Sequence, residues 1–233
     1  MGKFQDKVVL ITGASRGLGA ALARAFAQEQ AHLILLSRQI SGLEQLDESL
    51  DRFNVETTLV PVDLANPDRL ARLPEAIAQK YGRLDVLIGN AAMLGGLRPI
   101  THFDDQLWYK VMDVNFHANW HLLRGLELLL KQATHPRALF VTSSVATKNL
   151  AYWGAYAASK AALNQMILTY AAENQHSSLK VNLIDPGVMA TDMFQEAMPG
   201  ADVSKLPKPD DITPAFLRYA APDYQETGQL IKI

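Results

Sequence analysis

Short apolar runs and longer helical patterns alternate along the whole 233-residue chain. The runs are Val8–Thr12, Leu33–Ser37, Thr58–Val62, Val86–Asn90, Leu139–Ser143 and Val181–Ile184. Between them apolar residues recur at helical spacing, as at Leu18, Leu22, Ala25 and Phe26, or at Leu122, Leu126, Leu129 and Leu130. A strand that is apolar on both faces needs cover on both faces, and crossover helices supply it. The alternation therefore predicts an α/β fold, doubly wound, with a parallel sheet flanked by helices on both faces. A further strand is expected near Gln229–Lys232, which would make a sheet of about seven strands.

No linker rich in Gly, Pro or Ser divides the chain, so one domain over residues 1–233 is expected. The loosest stretch is about 186–209, which carries Pro186, Pro199, Pro207 and Pro209. A loop of that length inside a compact domain is usually functional. Apolar residues make up 48% and charged residues 20%, with a formal charge of -2. That is the balance of a soluble globular protein, with no basic run for nucleic acid and no apolar run of about 18 residues for a membrane. There is no cysteine, which excludes disulfides and thiolate-bound zinc. His117 and His121 are four apart, but no acidic partner completes a zinc motif, so no metal is expected. With no targeting segment visible, a cytoplasmic location is the expectation.

The first run passes directly into TGASRGLG, Thr12 to Gly19, and then into an amphipathic helix. Gly13 permits a tight turn, Gly17 lets backbone approach a phosphate, and Gly19 lets the helix pack on the strand. The helix N-terminal N–H groups and macrodipole would favour a pyrophosphate. A glycine-containing strand-to-helix turn without a ligand is the plain alternative. Position at the first βα turn of an alternating chain argues against it.

The spacing G-x-x-x-G-x-G resembles that of the short-chain dehydrogenase/reductase family, and the resemblance continues along nearly the whole chain. Asp63 follows the third run, where the family has an acid beside the adenine. Gly89-Asn90-Ala91-Ala92 is similar to the family's Asn-Asn-Ala-Gly, with Gly89 and Ala92 departing from it. Asn115 sits in DVNF, Tyr156 and Lys160 match Tyr-x-x-x-Lys, and Pro186, Gly187 and Thr191 match Pro-Gly-x-x-x-Thr. The resemblance implies a Rossmann-type domain and an oxidoreductase that interconverts a carbonyl and an alcohol by hydride transfer. It implies NADP(H) or NAD(H), a small-molecule substrate, a substrate loop at about 186–209, and a homodimer or homotetramer. The cofactor residues it implies are Gly13, Ser15, Arg16, Gly17, Leu18, Gly19, Arg38, Asp63, Leu64, Asn90, Ala91, Tyr156, Lys160, Pro186, Gly187, Val188 and Thr191.

Tyr156 and Lys160 are four apart on a predicted helix and share a face. Reduction of a carbonyl needs an acid for the developing alkoxide, and Tyr156 is the candidate. A free tyrosine titrates near 10, and a nearby ammonium would be expected to lower that toward neutrality. Lys160 is expected to do this and, as the family implies, to hold the nicotinamide ribose. Asn115 would hold a water that relays protons through Lys160. The family's serine lies 13 residues before its tyrosine, which selects Ser143; the local pattern Ser-x-x-Gly selects Ser144, with Thr147 in the glycine's place. Ser144 is preferred, because a strand end fixes geometry better than a loop length does. Tyr152 and Trp153 are expected to line the substrate pocket.

The second run ends in Ser37-Arg38, without the acid that commonly binds a ribose 2′-hydroxyl in NAD-binding folds. Arg38, with Arg16, could instead pair with a 2′-phosphate, so NADP(H) is the preferred cofactor and NAD(H) the second choice. Two rival functions stay open: a non-catalytic NADP-binding regulator or scaffold, and a dehydratase or epimerase.

Overall fold

The structure, a computed structural model, describes residues 2–233. Its strands are β1 (Val8–Thr12), β2 (His32–Ser37), β3 (Thr57–Pro61), β4 (Val86–Gly89), β5 (Arg137–Val141), β6 (Lys180–Asp185) and β7 (Leu230–Lys232). They form one parallel sheet in the order β3-β2-β1-β4-β5-β6-β7. The helices are α1 (Gly17–Gln28), α2 (Ile40–Leu50), α3 (Pro67–Leu70), α4 (Leu73–Tyr81), α5 (Asp105–Met112), α6 (Ala118–Lys131), α7 (Gly154–Glu173), α8 (Asp192–Ala197) and α9 (Pro209–Ala220). This is the doubly wound, Rossmann-type architecture that the alternation predicts. The strand order reverses at β1 and β4, and such a switch point opens a crevice at the carboxyl ends of the strands.

The period of two along each strand divides the core between the two faces. Val9, Ile11, Leu33 and Leu35 join a cluster with Leu22, Phe26, Leu43 and Phe216. Val8, Leu10, Ile34 and Leu36 join a second cluster with Leu73, Leu122, Leu126 and Ile167. Each such side chain, fully buried, contributes roughly 1.5–3 kcal/mol before entropy is counted. Two-sided burial is why the runs read as continuous rather than alternating.

Three departures from the expected elements matter. β5 begins two residues earlier than its apolar run and ends two earlier, at Val141. Arg137, a residue only 1% exposed, can start a strand because its guanidinium donates to carbonyls of Pro136 (2.9 Å), Ala221 (3.2 Å) and Pro222 (2.8 Å). Beyond Val141 the chain leaves the sheet, and Ser144–Thr147 form a 3-10 turn. Second, α5 and α6 are joined through a π-helical turn, Asp113–His117, that places Asn115 in the interior. Third, the stretch 186–209 is not bare loop, since it holds α8 and the 3-10 turn Val203–Lys205. Among the described residues no helix is long and apolar enough to cross a membrane.

Candidate active site

The carboxyl ends of the strands frame one cleft of about 740 Å³. Its floor begins at the loop after β1. Gly17 has φ +55°, a backbone region that side chains resist. Gly19 lies so close to the loop that a β-carbon would sit 2.1 Å from the Gly13 carbonyl oxygen. The loop is fastened from β4. Asn90 Nδ2 donates to the Thr12 carbonyl at 2.9 Å, and the Asn90 and Ala91 N–H groups donate to the Thr12 hydroxyl at 2.9 and 3.0 Å. The bare backbone at Gly13 and Gly17, at the N-terminus of α1, is the kind of cradle that accepts a phosphate. These residues fit a dinucleotide.

At the adenosine end, Ser37 and Ser15 share a hydrogen bond of 2.8 Å. The Asp63 carboxylate accepts from the Ala65 N–H at 3.0 Å, beside Leu64 on the cleft wall. Arg38 is exposed at the rim and makes no ion pair among the described residues. Arg16 behaves differently from the expectation. It pairs with Asp192 at 2.8 Å, which joins the glycine loop to the start of α8. Both partners are exposed, so the pair contributes little stability. Pro186, Gly187, Val188 and Thr191 line the opposite wall, and the Thr191 hydroxyl caps α8 by accepting from the Phe194 N–H.

The chemistry-bearing side chains come from the end of β5 and from α7. α7 buries Tyr156, Ser159, Lys160, Leu163, Asn164 and Ile167, which puts one stripe of the helix against the sheet. Lys160 Nζ donates to the Val141 carbonyl at 2.7 Å and lies 5.8 Å from the centre of the Tyr156 ring. Burial pushes the Tyr156 phenol up to about 12; the negative charge of Asp185 adds to this, and the Ser143 hydroxyl opposes it. Burial pushes the Lys160 ammonium down to about 8. The expected lowering of the tyrosine by the lysine is therefore not found. The ammonium is turned toward a backbone carbonyl, and desolvation is the largest cause of the phenol's shift.

Both serines border the cleft that Tyr156 lines, and the Ser143 hydroxyl works against the rise in the phenol's pKa. Ser143 is still extended, with φ -156°, and its hydroxyl accepts from the Val145 N–H. Ser144 already belongs to the 3-10 turn, although it too borders the cleft. Asn115 lies behind the cleft rather than in it. Its Oδ1 accepts from the Met93 N–H at 2.8 Å, and its Nδ2 donates to the Met93 carbonyl at 3.0 Å and the Ser159 hydroxyl at 2.9 Å. The remaining residues expected at the site, Gly19 excepted, line the cleft. Trp153 packs edge-on to Tyr156 at 6.0 Å, whereas Tyr152 is exposed and outside the cleft lining. Sequence reasoning missed Asp185, whose buried carboxylate accepts from the Gly187 N–H at 3.2 Å and acts on Tyr156. Only its place just before Pro186-Gly187 hinted at it.

Fold and cleft together define a Rossmann-type protein with its site at the topological switch point. Residues 7–202 match the short chain dehydrogenase family. The chain belongs to that family and is an oxidoreductase of it. It is 38% identical over 220 residues to the uncharacterized oxidoreductase YciK of Escherichia coli K12, covering 92% of this chain and 86% of that one. It is 31% identical over 233 residues to the benzil reductase IRC24 of Saccharomyces cerevisiae, covering 96% and 85%. A short chain dehydrogenase of Escherichia coli CFT073, complexed with NADPH, superposes with a TM-score of 0.93 at 34% identity, covering 98% of this chain and 97% of that one.

Proposed function

We propose that the protein reduces an apolar carbonyl compound to an alcohol, and runs the reverse reaction, with NADP(H) as cofactor. The observation that carries this reading is the convergence of Tyr156, Lys160 and Ser143 on one cleft with the glycine loop. The nicotinamide, when bound, supplies or accepts the hydride. Tyr156 gives its proton to the carbonyl oxygen; a phenol held protonated at neutral pH suits that donor role. Ser143, rather than Ser144, donates a hydrogen bond to the same oxygen, a reading supported by its extended backbone just after β5 and by its effect on the phenol. Lys160 holds the nicotinamide ribose. Having a pKa near 8, it exchanges a proton with little cost near neutrality. Asn115 holds the Met93 backbone and α7 in register around these groups.

Arg38 carries the preference for NADP(H), and the NADPH-bound relative supports it. Leu94, Val145, Leu150, Trp153, Met193 and Phe194 give the other end of the cleft an apolar wall, which supports a bulky, uncharged substrate. The yeast benzil reductase is a relative in keeping with that class. Residues 186–209, with α8, form the substrate loop of a single domain. Exposed Tyr109, Trp120 and Leu128 on α5 and α6 support a homo-oligomer joined through those helices. We place the protein in the cytoplasm, in keeping with its lack of cysteine.

The test is a screen of aromatic and aliphatic ketones, followed by nicotinamide absorbance with both cofactors, on wild type and Tyr156→Phe. The substitution keeps the ring and removes the proton, so turnover should fall by about 10²–10⁴-fold while NADPH binding is retained. A variant that keeps more than about a tenth of wild-type turnover would remove Tyr156 as the acid.

A further inference from the structure

Asn119 is buried in the first turn of α6. Its Nδ2 donates to the Asn115 carbonyl at 2.9 Å. That carbonyl belongs to the π-helical turn Asp113–His117. A π turn interrupts the regular backbone ladder, and here a side-chain amide supplies a donor inside it.

The bonds continue inward. Asn115 holds both polar groups of the Met93 backbone and the Ser159 hydroxyl. Ser159 in turn donates to the Tyr156 carbonyl at 2.8 Å. One connected line therefore runs from Asn119 through Asn115 to Met93, on the cleft wall, and to the backbone of Tyr156.

Gly89 shows that the place of Asn119 is built. A β-carbon at Gly89 would lie 2.6 Å from Asn119 Oδ1 and 2.3 Å from a ring carbon of Phe140. β4 thus forgoes a side chain where α6 inserts an amide. This gives a physical reason for the glycine at a position where the family resemblance leads one to expect asparagine.

We propose that Asn119 is a positioning residue for the oxidoreductase site. It fixes the π turn so that Asn115 can hold Met93 and, through Ser159, Tyr156. The proposal rests on the function given above for that site. Asn119 touches neither the cleft nor the reacting groups, so its influence is exerted through Asn115.

Asn119→Leu keeps much of the side-chain volume and removes the donor. Three measurements follow. Hydrogen exchange on the free protein reads the Met93 amide, which Asn115 Oδ1 protects. Steady-state kinetics with NADPH and the best ketone read turnover, and fluorescence titration reads the NADPH dissociation constant. In the variant, Met93 should exchange at least about tenfold faster, because its acceptor is no longer held. kcat should fall by about 10- to 100-fold, a larger factor than any loss of NADPH affinity, with the variant still folded at the assay temperature. Exchange at the wild-type rate in the folded variant overturns the proposal. So does an equal loss of kcat and NADPH affinity, which marks a merely structural residue. If Asn119→Leu does not fold, Asn119→Ser is read by the same criteria. If the wild type reduces no ketone, the proposed function fails and Met93 exchange alone decides the role of Asn119.

Discussion

Lys160 Nζ donates to the Val141 carbonyl at 2.7 Å from a side chain that burial holds near pKa 8 rather than 10.5. Below about pH 8 both folded and unfolded chains carry this proton, and the folded state bears the whole cost of a buried charge. Between about 8 and 10.5 only the unfolded chain keeps it, so the stability contributed by this group rises with pH. Lys160→Met removes the titration. Relative to wild type, the Met variant should therefore lose stability as pH is raised from about 8 to 10. Thermal melts across that range would show it; a difference independent of pH would mean that Lys160 is not buried as an ammonium.

The two serines make a second contrast. Ser143→Ala should lower turnover by about 10²-fold or more, the usual cost of one donor aimed at a developing oxyanion. Ser144→Ala should have a much smaller effect, because that residue starts the 3-10 turn. Kinetics of the two folded variants decide the matter, and the reverse ranking would return the role to Ser144.

Cofactor choice is expected to turn on Arg38. It has no competing ion pair among the described residues, whereas Arg16 is paired with Asp192. Arg38→Asp should weaken NADPH by about 10- to 100-fold, the scale of a charge-assisted bond lost, and leave NADH comparatively unharmed. Arg16→Ala should cost less. Fluorescence titrations with both cofactors would test this, and an unchanged preference in Arg38→Asp would take Arg38 out of the site.

Arg137 lies at the far end of the sheet and should matter only for stability. Arg137→Ala takes the guanidinium bonds from the carbonyls of Ala221 and Pro222, which keep the Tyr224 N–H and Gln225 Nε2 as donors, and leaves a cavity where one of the largest fully buried side chains stood. A loss of at least about 2 kcal/mol is expected in urea denaturation. Arg137→Lys should rescue little, because a point charge cannot match a planar fork with several donors. Full stability in either variant would show that the buried guanidinium is dispensable.

What was legible in the chain beforehand was whatever a local pattern dictates. Two-sided apolar runs such as Val8–Thr12 imply a covered strand, and Gly13, Gly17 and Gly19 answer to backbone demands that neighbours in sequence already reveal. Tyr156 and Lys160 were legible because helical spacing sets them on one face. What was not legible depends on distant partners. Which of Ser143 and Ser144 stays extended depends on where β5 stops, at Val141, and no local pattern marks that end. The direction of Lys160 is set by a carbonyl on another element. The π turn has no periodic signature, and Asn119 reads as an ordinary helix residue until Gly89 is seen opposite.

The bond from Asn90 to the Gly13 carbonyl spans 77 residues of chain. On the ribosome, then, the phosphate loop emerges long before the residue that fastens it. β1 can pair with β2 early, but its other neighbour, β4, comes later, and the facing wall at Thr191 later still. Early domain segments fold as the chain is made, but here a nascent chain has no finished cradle with which to grip a nucleotide. Capture of the cofactor therefore waits for synthesis to pass Thr191.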